Sequence, residues 1–106
     1  MKKPSNGMGL PKAFAVEFGS SWQRWAKRRT ATELDEIEQR LSQLAVTFGK
    51  PHVHAGLGVR RLKENVFEFR ISRGIRVIFL LFKPNRLHLV MTGNHDEARA
   101  WLKENA

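Results

Sequence analysis

The chain has 106 residues and no cysteine, so it suits one domain with a modest core and offers neither a disulfide framework nor a thiolate metal site. Nineteen basic against ten acidic residues give a net charge of +9, which points to an anionic partner: nucleic acid, an acidic protein or a charged surface. No apolar run approaches the ~20 residues of a membrane span, and the lysines after Met1 lead into no apolar segment, so the expectation is a cytoplasmic chain without membrane partner or signal peptide.

The charge is unevenly placed: residues 1–31 carry +6, residues 32–50 carry −2 and residues 51–106 carry +5. Residues 1–11 (MKKPSNGMGLP), with two Pro and two Gly, read as a flexible basic arm before a domain over 12–106. Residues 12–18 (KAFAVEF) alternate well enough for an edge strand. Ser20 and Ser21 can cap a short helix, SSWQRWAKRR, whose Trp22 and Trp25 share a face at i, i+3. Such a pair reads as core before it reads as a base-stacking surface. Either Thr30 with Glu33 or Thr32 with Asp35 makes a capping box for the next helix. Leu34, Ile37, Leu41, Leu44 and Ala45 form its apolar stripe, and Gly49 with Pro51 ends it.

Residues 50–63 (KPHVHAGLGVRRLK) read as a basic loop closing in a short extended piece. The spacing His52-x-His54, with no Cys or carboxylate close by, is a poor metal signal, so neither a metal nor a cofactor is expected.

Residues 66–92 (VFEFRISRGIRVIFLLFKPNRLHLVMT) read as three Val/Ile/Phe-rich strands broken at Ser72-Arg73-Gly74 and Lys83-Pro84-Asn85. With three-residue loops, and φ > 0 at Gly74, Ile71 sits opposite Ile75, Arg70 opposite Arg76, Phe82 opposite Arg86 and Arg76 opposite Thr92. That register puts Phe67, Phe69, Ile71, Ile75, Val77, Phe79, Leu81, Leu87, Leu89 and Met91 on one wholly apolar face. Glu68, Arg70, Arg76, Ile78, Leu80, His88, Val90 and Thr92 fall on the other. Two arginines directly opposed require an anion to offset them, either Glu68 on the diagonal or a phosphate. Asn94 or Asp96 then starts a last helix with Ala98, Trp101 and Leu102 on one side. The fold class expected is α+β: an N-terminal strand and two helices packed on an antiparallel sheet, followed by a C-terminal helix.

The order of elements, together with Leu62-Lys63, Phe67-Glu68-Phe69-Arg70-Ile71, Gly74-Ile75-Arg76-Val77-Ile78-Phe79 and the ending Thr92-Gly93-Asn94-His95-Asp96-Glu97-Ala98, resembles the RelE/ParE toxin superfamily of bacterial toxin–antitoxin systems over about residues 12–105. The resemblance implies a toxin of a type II pair, with a cognate antitoxin as partner. In the mRNA-cleaving branch it implies an endoribonuclease that cuts messenger RNA in the ribosome and stops translation. There Arg76 matches the phosphate-contacting arginine, Arg70 a basic position in the preceding strand, and His95 a place that holds a catalytic His in some members and Arg in others. Arg61, Lys63 and Arg73 are then expected to hold RNA or ribosomal RNA. Trp101 stands where certain members carry a functional Tyr; it can stack on a base but donates no phenolic proton. The same fold serves a gyrase-poisoning branch, which makes DNA gyrase the alternative partner, and toxin-like accessory domains that bind nucleic acid without chemistry. For His95 the structural alternative is a capping role, with Asp96, at the start of the last helix.

Overall fold

The computed structural model describes residues 14–48, 58–72 and 74–105. The basic arm, Lys12, the histidines of the basic loop (His52 and His54), Gly49, Pro51 and Arg73 lie outside the described residues. The elements are β1 (Ala15–Phe18), α1 (Trp22–Ala26), α2 (Ala31–Thr47), β2 (Val59–Arg61), β3 (Val66–Ser72), β4 (Ile75–Phe82), β5 (Arg86–Gly93) and α3 (His95–Asn105). They build an α+β domain around one five-stranded sheet of order β1-β5-β4-β3-β2. The expected antiparallel arrangement holds from β2 to β5, while β1 joins β5 in parallel and makes the sheet mixed. No helix among the described residues is long and apolar enough to cross a membrane.

The covered face is set by side-chain size. Phe67, Phe69, Val77, Phe79, Leu87 and Leu89 alternate along three strands and meet Trp22 of α1 with Ile37, Leu41 and Leu44 of α2 in one cluster. Phe48 leaves the helical conformation at the end of α2 and drops its ring among Phe14, Phe67 and Phe79, with centroids 5.0–5.6 Å away and edge-on geometry. Each such pair adds about 0.5–1.5 kcal/mol beyond the burial of the rings. Of the α2 stripe, Ile37, Leu41 and Leu44 are buried, whereas Leu34 stays exposed in the first turn. The cap is the Thr30–Glu33 box: the Thr30 hydroxyl accepts from the Glu33 amide at 3.1 Å, and the Glu33 carboxylate accepts from the Thr30 amide at 2.9 Å.

Two irregularities alter the expected register. Arg70 does pair with Arg76, but the strands close one step tighter, Ser72 opposite Ile75, with the ladder irregular at Ile71. Gly74 does not take the left-handed backbone; among the described glycines only Gly58 does, at φ +92°. The larger correction is in β5. Phe82 pairs with Arg86 as expected, then the register slips between Ile78–Met91 and Phe79–Leu89, leaving Val90 as the extra residue of a bulge.

Everything beyond the bulge is turned over. Met91 leaves the phenylalanine face and joins Ile78 and Ala98 in a second cluster, Thr92 is fully buried opposite Val77, and Gly93 rather than Thr92 faces Arg76. A bulge frees a carbonyl, and here Ser21 takes it, its hydroxyl donating to the Val90 oxygen at 2.8 Å while the Gly19 amide donates to Leu89 O at 2.7 Å. A Cβ at Gly19 would stand 2.8 Å from that same Leu89 oxygen, so glycine is what lets the chain come close enough to bond. Trp22 and Trp25 accordingly divide: Trp22 enters the main core and Trp25 packs against the second cluster.

Candidate functional site

Strand alternation sends Glu68 and Arg70 of β3 to the face away from α1 and α2, and Arg76 and Ile78 of β4 to the same face. Arg70 is opposite Arg76 and Glu68 opposite Ile78, so Glu68 lies diagonally from Arg76. The Arg76 Nη1 donates to Glu68 Oε1 at 3.3 Å. On the other side β2 pairs Arg60 with Glu68, and the Arg60 Nε donates to that same oxygen at 3.1 Å. The Glu68 side chain is 5% exposed and that of Arg76 13%, while Arg60 stands 63% exposed at the rim. Two guanidiniums thus converge on one oxygen of a buried carboxylate. The Arg76 Nε is buried and makes no hydrogen bond among the described residues.

Helix α3 forms the wall. Asn94 caps it: its side-chain oxygen accepts from the Glu97 amide and the Glu97 carboxylate accepts from the Asn94 amide, both at 2.8 Å. Capping is therefore done without His95, which stands exposed in the first turn and makes no hydrogen bond or ion pair among the described residues. Glu97 also receives Arg28 at 3.2 Å and Arg29 at 3.8 Å, so the two arginines after α1 pin the start of α3. Gly93 permits this approach, since a Cβ there would come within 2.9 Å of Glu97 Cβ.

Between α3 and the β2–β3 side of the sheet lies a cavity of about 680 Å³, lined by Arg60, Glu68, His95, Arg99, Ala100, Leu102 and Lys103. His95, Arg99 and Lys103 follow one another at i, i+4 and i+8, hence on one stripe of α3. The sequence shows that spacing openly, yet Arg60, Arg99 and Lys103 were not among the expected site residues. The pairing of Arg60 with Glu68 depends on the register of a three-residue strand that no turn signal fixes.

Of the expected residues, Arg76 and His95 come to this cavity, the first through Glu68 and the second on its wall, and Arg70 stands exposed on the same sheet face opposite Arg76. Arg61 does not. It pairs with Phe67 on the opposite side of the sheet, donates through Nε to the carbonyls of Lys63 (3.1 Å) and Glu64 (2.9 Å), and lines a separate cavity with Phe48 and Lys83. Lys63 is exposed in the turn between β2 and β3. Trp101 is half-buried against the Ile78–Met91–Ala98 cluster. Arg73 lies outside the described residues. Among the described residues no group of three or more His, Asp and Glu side chains is placed to hold a metal ion.

The sequence matches no protein-family model and no curated protein. Solved structures do match. The E. coli toxin RelE, as a mutant in the free state, aligns with 89% of this chain and 99% of its own at TM-score 0.64 and 12% identity. YafQ from E. coli strain BL21(DE3) aligns with 80% of this chain and 97% of its own at TM-score 0.61 and 13% identity. The archaeal RelE–RelB complex from Pyrococcus horikoshii OT3 supplies a third, covering 77% of this chain and 94% of that one at TM-score 0.62 and 11% identity. The fold is that of the RelE-type toxins. At such identities the likeness concerns the path of the chain, and what a RelE-type fold does rests on the side chains it presents.

Proposed function

We propose that this chain is the toxin of a type II toxin–antitoxin pair, and that it cuts messenger RNA on the ribosome in the cytoplasm. The observation that carries the reading is the convergence of Arg60 and Arg76, through Glu68, on a cavity walled by His95, Arg99 and Lys103. A net charge of +9 supplies the long-range attraction to RNA.

The reaction is an attack by a ribose 2′-hydroxyl on its own 3′-phosphate. One proton leaves the hydroxyl, one is given to the departing 5′-oxygen, and negative charge accumulates on the phosphorane between them. In this reading Arg76 and Arg70 face that charge from the sheet. His95, unencumbered by any capping role, serves as the acid or the base. Arg60, Arg99 and Lys103 grip the backbone, while Arg61, Lys63 and Arg73 meet ribosomal RNA outside the cavity and Trp101 supplies an apolar surface for a base. The cognate antitoxin is an acidic or amphipathic chain that covers the cationic cavity or the free edge of β1 or β2.

Expression of the chain without an antitoxin is expected to arrest growth, with translation stopping before DNA replication. The substitution His95→Gln is expected to lower single-turnover cleavage and to remove the imidazole limb of the pH–rate profile while ribosome binding persists. Cleavage at the parent rate and pH dependence would end the acid–base assignment. A second reading has its own support: Arg76 already spends its Nη1 on Glu68, an arrangement that suits a non-catalytic nucleic-acid binder. That reading expects ribosome or RNA binding with no cleavage by the parent chain.

A further inference from the structure

Glu68 occupies the place a substrate anion needs. Its Oε1 atom receives Arg60 from β2 at 3.1 Å and Arg76 from β4 at 3.3 Å, the way a phosphate oxygen is taken between two guanidiniums. Among the residues lining the cavity Glu68 alone is acidic, against Arg60, Arg99 and Lys103. The second oxygen of Glu68 makes no hydrogen bond among the described residues, and the Arg76 Nε is buried without one. Half of the carboxylate's accepting capacity is thus unspent on the lining of the cavity, with an unspent guanidinium N–H on the arginine behind it.

Leaving Arg60, Arg70 and Arg76 close together without an anion would be unfavourable, as like charges across strands repel. A resident carboxylate removes that repulsion in the free chain. A ligand must then offer an anion that replaces an ion pair already made. A small lone anion gains little by the exchange. A strand with several phosphates gains more, because its neighbouring phosphates meet Arg99 and Lys103 at the same time and make the exchange intramolecular.

We propose that Glu68 is a built-in counter-anion, exchanged for a phosphodiester of single-stranded RNA when Arg60 and Arg76 bind it, and that it sets the site's preference for polyanionic strands over lone anions. This rests on the RNA-binding part of the function proposed above and not on cleavage.

The test is binding of a short single-stranded RNA to the purified full chain by fluorescence anisotropy across a salt series, with inorganic phosphate as the lone anion. Glu68→Gln keeps the side-chain shape and removes the charge. It is expected to bind RNA several-fold more tightly at low salt, with the slope of log K against log salt steeper by about 0.7, the increment of one further phosphate contact. Phosphate is expected to compete better with RNA on this variant than on the parent. Glu68→Asp keeps the charge and is expected to keep the parent slope. Unchanged or weaker RNA binding by a folded Glu68→Gln chain overturns the proposal and makes Glu68 a strut that aims the arginines. Where Glu68→Gln fails to fold, the carboxyl carbon of Glu68 in the ¹³C-labelled parent is followed by NMR. A shift on adding RNA supports exchange, and a signal unmoved at saturation overturns it. Cleavage is scored separately: tighter binding without cleavage by either chain supports the exchange and removes the nuclease, while cleavage without the salt-slope change removes only the exchange.

Discussion

The sheet of this protein has one face under α1 and α2 and another under α3, and the two are built on opposite terms. The first is dry and aromatic: Phe48, Phe67 and Phe79 meet edge-on or stacked, and Phe69, Phe79, Leu87 and Leu89 have no exposed surface. The second keeps a small cluster of Ile78, Met91 and Ala98 beside the Arg60–Glu68–Arg76 trio and an open cavity. Helix length explains much of the contrast. The 17 residues of α2 reach about 25 Å and the 11 of α3 about 16 Å, while the eight residues of β4 run about 26 Å. A helix as long as α2 spans the sheet; one as short as α3 cannot. The uncovered remainder is where charged side chains can be buried on one side and reached from the other. A chain this small can leave one face partly uncovered because the other is filled with phenylalanine.

Adjacent residues of β4 give the sharpest test, since Phe79 points into the closed face and Ile78 into the open one. Phe79→Ala is expected to cost about 3–5 kcal/mol of folding free energy, because a ring-sized void amid rigid rings has nothing to collapse into it. Ile78→Ala is expected to fall near the low end of about 2–5 kcal/mol, with Met91, Trp101 and Leu102 shifting into the gap. Chemical denaturation of both variants reads the difference directly. An Ile78→Ala chain that loses as much as Phe79→Ala would show that the two faces are equally rigid and break the comparison.

Arg76 on the second face and Arg61 on the first separate a fixed cation from a peripheral one. Arg76→Ala is expected to slow saturating cleavage by about 10²–10³, or about 2.7–4 kcal/mol, as for loss of a donor aimed at transition-state charge. It also leaves Glu68 with Arg60 alone, so stability is expected to drop by about 1–3 kcal/mol, and rates are compared at equal folded fraction. Arg61→Ala removes a group on the other side of the sheet, tied to Lys63 and Glu64 carbonyls, and is expected to weaken ribosome binding with little loss at saturation. Equal losses at saturation would mean that the cavity is not the reacting site.

Much of this arrangement is legible in the residues, for identifiable reasons. The unbroken apolar series at the odd positions of β3 and β4 marks the phenylalanine face, and Arg70 does stand opposite Arg76, although the irregularity at Ile71 and not a three-residue loop brings it there. Thr30 with Glu33 announces α2. The direction of β1 is not written in alternation, which reads the same for parallel and antiparallel neighbours. Nor is the bulge at Val90 visible, because Val90, Met91 and Thr92 are all acceptable on either face and the partner that settles the matter, Ser21, is 69 residues away. The same limit hid Arg60 from the site, since its place depends on β2 finding its register with β3. The stripe of His95, Arg99 and Lys103 was available from helical spacing alone.

Thr92 offers a smaller and more delicate test of how the faces are divided. The bulge turns it into the closed face opposite Val77, where it has no exposed surface and its hydroxyl makes no hydrogen bond among the described residues. A hydroxyl held in an apolar layer without a partner costs about 1–3 kcal/mol. Valine has nearly the same shape, the same branching at Cβ and a preference for strands, so Thr92→Val removes the polar atom with little change of volume. The expected outcome is a chain more stable by about 1 kcal/mol in urea unfolding, with RNA binding unaltered because Thr92 faces away from the cavity. A loss of stability would carry equal information. It would show that the hydroxyl holds a buried water bridging α1 to β5, and that the dry face has a wet seam where the bulge turns the strand over.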